Sequence, residues 1–131
     1  MYQTELIETA GGVSVTKDIE DSYWQIISPE QLVAENPEYI FSVVDAEYTL
    51  DDIYADEALA DVNAIKNGNV YTIPSDIEAW DYPTASSVLG VMWMTSVLHP
   101  EAYPEATYIS EAKEFYKTFF DIEVTENNLG F

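Results

Sequence analysis

Tyr39-Ile40-Phe41-Ser42-Val43-Val44 is a short β-branched and aromatic run, and Val70-Tyr71-Thr72-Ile73 is a second one, closed by Pro74. Both read as buried strands. Roughly 25 residues separate them, which suits a parallel crossover rather than a hairpin. Within that interval Thr49, followed by Asp51 and Asp52, opens a helical stretch whose first-turn acids complement the helix dipole, and Asn67-Gly68 marks a turn. Upstream, Ser28 is a natural N-cap, Pro29 fits the first helical position, and Gln31 completes a capping box. Ile27 and Leu32 have the spacing of a hydrophobic staple, and Pro37 predicts that this helix stops near Asn36.

Further out, Thr4 to Ala10 predicts a short helix stopped by Gly11-Gly12, and Val13 to Val15 an extended piece. Thr84 to Leu98 is apolar nearly all round and predicts a helix buried on most sides. Ile109, Ala112, Phe115, Tyr116, Phe119 and Phe120 form one stripe of a last, amphipathic helix. The element order predicts an α/β layered domain, with no repeat or linker to divide residues 1–131. Two strands are few for a stable open sheet, so a further strand is expected from upstream or from another chain.

Charge excludes whole classes of function. The 131 residues carry 25 acids against four bases, a formal net charge of -21. All four bases are lysines (Lys17, Lys66, Lys113 and Lys117). Nucleic acid needs clustered cations to displace counterions, and none exist here. An anionic membrane surface is disfavoured for the same reason. Cysteine is absent, which removes disulfides, thiolate metal sites and thiol nucleophiles. No run of about 18 apolar residues is present to span a bilayer. The first residues, Met1-Tyr2-Gln3-Thr4-Glu5, lack the character of a secretory signal, which leaves an intracellular protein or a fragment with its signal upstream.

Ligands of open parallel sheets bind beyond the carboxyl ends of the strands. Those ends lead into Asp45-Ala46-Glu47-Tyr48 and into Ser75-Asp76-Ile77-Glu78-Ala79-Trp80-Asp81-Tyr82-Pro83. Trp80 and Tyr82 offer broad faces with a polar handle; the plainer alternative is that Trp80 covers the adjacent sheet and Tyr82 leads into the next helix. Tyr23-Trp24 carries the same two readings. Asp76, Glu78 and Asp81 are close enough in sequence for glycosidase chemistry, but neighbouring carboxylates arise by chance in so acidic a chain. His99, the only histidine, stands at a helix end where it meets the dipole, and with no cysteine there is no zinc motif. Asp45 to Leu50 lacks the glycine and acid spacing of an EF-hand. No catalytic or metal-ligating residue is expected, and the chain reads as a binding module rather than an enzyme.

Several stretches, in order, resemble the solute-binding proteins of ABC importers for iron-siderophores, haem and cobalamin, the class III periplasmic binding proteins. They are Ile7-Glu8-Thr9-Ala10-Gly11-Gly12-Val13; Tyr23-Trp24 leading to Ile27-Ser28-Pro29-Glu30-Gln31-Leu32; Asn36-Pro37-Glu38-Tyr39-Ile40; Ala64-Ile65-Lys66-Asn67-Gly68-Asn69-Val70-Tyr71; and Tyr116-Lys117-Thr118-Phe119-Phe120. What they resemble is the carboxy-terminal lobe alone, without the amino-terminal lobe or the helix joining the two. The resemblance implies a three-layer αβα lobe with a short, mainly parallel sheet. It implies a metal chelate or corrinoid held between two lobes, no cofactor, and an extracytoplasmic location, periplasmic or lipoprotein-anchored. It places ligand contacts at Trp24, Tyr48, Ser75, Trp80 and Tyr82, and permease docking at Glu30 in the serine-x-glutamate motif Ser28-Pro29-Glu30. Many siderophore binders hold anionic ligands with arginine, which this chain lacks. The alternative is a free-standing interaction lobe that pairs with a second copy to complete its sheet, without a small ligand.

Overall fold

The computed structural model describes residues 2–19 and 27–131. They form two compact units, Val15–Ile73 and Tyr2–Ser14 with Pro74–Phe131.

In the first unit, α2 (Pro29–Glu35) begins at the expected cap: the Ser28 hydroxyl accepts the Gln31 N–H at 3.2 Å, and the Gln31 side chain accepts the Ser28 N–H at 3.1 Å. The helix ends at Asn36, which adopts the left-handed conformation (φ 46°) before Pro37. The Asn36 carboxamide then accepts the Asn63 N–H at 2.8 Å, fixing where α4 (Asn63–Lys66) starts. Ser28→Ala removes one half of the box and is expected to cost about 1 kcal/mol in urea unfolding, with an unchanged m-value.

The strands are β1 (Ile40–Ser42) and β2 (Val70–Thr72), paired in parallel with Ile40 opposite Val70 and Phe41 opposite Tyr71. Parallel pairing follows from the intervening α3 (Leu50–Ala55), the 3-10 turn Glu57–Leu59 and α4. Side chains alternate across the sheet. Val70 is buried with Ile53, Leu59, Val62 and Ala64, and Ile40, Leu32, Leu50 and Ile65 pack against that cluster. Phe41 stacks on Tyr71 at 6.1 Å and on Tyr39 at 6.5 Å. Thr49 caps α3 through a reciprocal box with Asp52, and Gly68 (φ 72°) makes the turn into β2.

Both strands are shorter than the apolar runs that announced them. Val43 and Val44 leave the ladder, and Val44 is exposed. The expected extended piece Val13 to Val15 forms no strand, so the sheet has two strands among the described residues.

In the second unit, α1 (Tyr2–Thr9) and α6 (Glu105–Phe120) both pack on α5 (Ser87–Leu98). The α5 face formed by Leu89, Gly90, Trp93, Met94, Ser96 and Val97 is buried. Val88 is 49% exposed, however, so this uniformly apolar helix is not buried on every side. Helix α6 buries Tyr108, Ile109, Ala112 and Tyr116, and the Tyr108 hydroxyl donates to the Leu129 carbonyl at 3.0 Å. Its stripe does not continue inward: Phe119 is 71% exposed and Phe120 is also exposed. Asp121, left-handed at φ 52°, ends the helix one residue later, and these rings shelter against Phe115 at 5.0 and 6.0 Å instead of entering the core.

Candidate functional site

The loop from Ser75 to Pro83 lies in the second unit and is held from behind. Trp80 is only 1% exposed, and its indole N–H donates to the Tyr116 hydroxyl at 3.2 Å. Gly90 permits this seat, because a Cβ there would lie 3.0 Å from the Trp80 Cβ and 3.2 Å from its carbonyl oxygen. The expected solvent-facing role of the Trp80 ring is therefore corrected: an indole with one polar atom is cheapest to bury where a hydroxyl can accept that N–H. Tyr82, two residues on, is 47% exposed, and Ile77 is exposed as well. Ser75 is half-buried at the start of the loop.

The loop's acids are tied into the fold. Glu78 accepts the Ser86 N–H at 3.1 Å and the Ser86 hydroxyl, so its carboxylate sits at the amino-terminal end of α5. The Ser86 hydroxyl holds the Glu78 carboxyl below its ordinary value of 4.5, against a smaller opposing effect of burial. Asp76 accepts from the Asn128 carboxamide at 3.3 Å. Asp81 is buried, and its backbone carbonyl accepts from Gln3 at 3.2 Å. The carboxylates of Glu78 and Asp76 anchor the loop, which the sequence reading missed. The signal was legible in Glu78 and Ser86 flanking the start of an apolar helix.

Glu78→Gln is expected to cost about 1 kcal/mol, the usual scale of a lost cap. A carboxyl depressed in the folded state stabilises above its unfolded pKa and loses that contribution as pH falls through the folded value. The gap between wild type and Glu78→Gln should thus be full above pH 4.5 and close below it in urea titrations.

The other expected site residues belong to the first unit or lie outside the described residues. Tyr48, in the loop after β1, is 55% exposed. Glu30 stands exposed in the first turn of α2, where its own backbone N–H and then the Ser28 hydroxyl hold its carboxyl below the usual range. Trp24 and its neighbour Tyr23 lie outside the described residues. A hollow of about 90 Å³ in this unit, lined by Ile19, Ile27, Leu32 and Glu35 among others, is too small for a chelate, whose pockets run to ~300 Å³ or more. His99 closes α5, with its Nε2 3.3 Å from the Gly11 carbonyl oxygen. Among the described residues no helix is long and apolar enough to cross a membrane, and no three acids or histidines are grouped to hold a metal.

Comparison with known proteins decides the family. Residues 1–77 match the family model described as periplasmic binding protein. The chain belongs to this family. A periplasmic solute-binding protein from Veillonella parvula superposes with a TM-score of 0.83 at 25% identity, over 97% of this chain and 40% of its own. The molybdate-binding protein MolA of Haemophilus influenzae is 23% identical over 97% of this chain and 36% of its own length. Its molybdate-bound structure superposes with a TM-score of 0.78. CeuE of Helicobacter pylori, solved with nickel(II) bound, matches at 25% identity and a TM-score of 0.74, covering 97% of this chain and 40% of its own. This periplasmic binding protein chain thus spans about two-fifths of the length of the solved relatives. Its mixed architecture with a short parallel sheet is that of a class III binding-protein lobe. The ligands of the family are transported solutes rather than cofactors.

Proposed function

We propose that this chain is the carboxy-terminal lobe of the solute-binding component of an ABC importer. It takes an iron chelate (siderophore or haem) or a corrinoid against its exposed aromatics and, with an amino-terminal lobe, delivers that solute to a permease. Membership of the periplasmic binding protein family carries the reading and supports an extracytoplasmic location. MolA is bound to molybdate and CeuE was solved with nickel(II), so the iron-chelate or corrinoid class is proposed on the sequence resemblance and not on these relatives. Tyr82 and Ser75 are the proposed contacts of the second unit and Tyr48 that of the first, while Trp80 holds the Tyr82 loop in place. Trp24 is proposed on the resemblance alone.

Binding here is differential contact without bond making: flat rings cover the apolar part of the solute, and hydroxyls orient it. Isothermal titration with cyanocobalamin and with a ferric trihydroxamate tests the reading. Saturable heat that Tyr82→Ala weakens by about tenfold supports it, on the scale of an interface aromatic. A compact chain that takes up neither ligand sinks it. A tight dimer by light scattering, indifferent to both, would favour the paired interaction lobe.

Glu30 is proposed as the permease-docking acid. Glu30→Ala should leave solute titration unchanged within about twofold and weaken capture by a detergent-solubilised cognate permease by more than about tenfold, as expected for one partner of an interfacial charge pair. Equal capture of both forms would remove Glu30 from this role.

A further inference from the structure

The charge of the solute follows from how the second unit uses its own ionised groups, an inference that rests on the solute-binding reading above. An anion held by protein needs arginine, lysine, or a helix amino terminus with N–H groups to offer. The four bases of this chain are all lysines, and in this unit both lysines are engaged. Lys113 pairs with Glu126 at 3.7 Å and Lys117 with Asp121 at 2.8 Å. The amino-terminal end of α5 is the place where a phosphate or oxyanion would sit, and the chain's own Glu78 carboxylate occupies it through Ser86. The exposed residues of the loop are Tyr82, Ile77 and Asp76, the last with its carboxylate hydrogen-bonded to the Asn128 carboxamide.

We propose that this surface takes a metal complex whose net charge is zero or positive, and refuses free oxyanions and polyanionic chelates. Glu78 acts as a built-in anion that closes the helix terminus to external ones. The field of a chain at -21 adds to the same discrimination at long range, since clefts of one sign concentrate solutes of the other. No protein side chain is needed to ligate the metal, because the chelator arrives with it. The apolar body of the complex lies against Tyr82 and Ile77, and its charge is read by the surrounding field.

The test titrates the whole chain with four probes: a cationic ferric trihydroxamate, neutral cyanocobalamin, a triply anionic ferric tris-catecholate, and sodium molybdate. At about 50 mM salt the cationic complex should bind at least roughly 30-fold tighter than the tris-catecholate, and that ratio should shrink several-fold at about 1 M salt, where charges are screened. Molybdate should give no saturable heat. Glu78→Gln, with an unchanged circular dichroism spectrum, should narrow the ratio by about fivefold, as loss of one nearby charge predicts. Tris-catecholate or molybdate binding as tightly as the cationic complex overturns the inference, and so does a ratio indifferent to salt. The salt series needs only the wild-type chain, so it decides the matter even where Glu78→Gln misfolds. If no probe binds under any condition, the solute-binding reading itself fails and this inference fails with it.

Discussion

Trp80→Ala is expected to destabilise the chain by about 3–5 kcal/mol, the range for deleting a fully buried aromatic side chain. The indole is 1% exposed, and its removal leaves a cavity beneath the loop and the Tyr116 hydroxyl without the N–H it accepts. Tyr116 is itself 1% exposed, so water does not readily replace the lost donor. Tyr82→Ala, only two residues away, should cost no more than about 0.5 kcal/mol, because half of its surface already faces water. Urea unfolding of the two variants measures the contrast. Equal costs, whether large or small, would show that the loop is not divided into an anchored residue and a presented one. Trp80→Phe adds resolution: it keeps most of the packing, loses the hydrogen bond, and should fall between the two.

Salt should have the second large effect. Raising sodium chloride from about 20 mM to about 1 M is expected to raise the melting temperature by roughly 10 °C, because screening relieves the mutual repulsion of surplus carboxylates. Ion pairs cannot supply that relief from within. The pairs Lys66 with Asp61, Lys113 with Glu126 and Lys117 with Asp121 are all solvent-exposed and together engage only three of 25 acids. Exposed pairs contribute about 0–1 kcal/mol each and weaken as salt is added. Scanning calorimetry across the salt series reads the result. A melting temperature that falls with salt would show that the pairs, rather than the repulsion, dominate.

Local signals were the most legible part of this molecule. The Ser28 and Thr49 boxes, the Asn67-Gly68 turn and the stop at Asn36 involve groups within four residues of one another, so their geometry is written in spacing alone. Parallel pairing of Val70 with Ile40 was legible for a related reason, since only a crossover long enough to hold helices separates the two runs. Hydrophobicity misled where it was asked for direction. Phe119 and Phe120 continue the α6 stripe in sequence, but their last turn extends past the buried face of the helix. Val88 is as apolar as Leu89, and only the neighbours of α5 decide that one faces water while the other is buried.

The loop from Ser75 to Pro83 shows where that boundary falls. Its composition determined that it would be a mixed aromatic and acidic surface at the end of a strand, and the ordered motifs of the chain determined a family resemblance that the match over residues 1–77 makes membership. Tertiary structure alone decided that Trp80 is core and that Tyr82 is surface. The physical reason is that burial and hydrogen-bond satisfaction depend on partners further along the chain, here Gly90 and Tyr116, which no local pattern can pair with the loop.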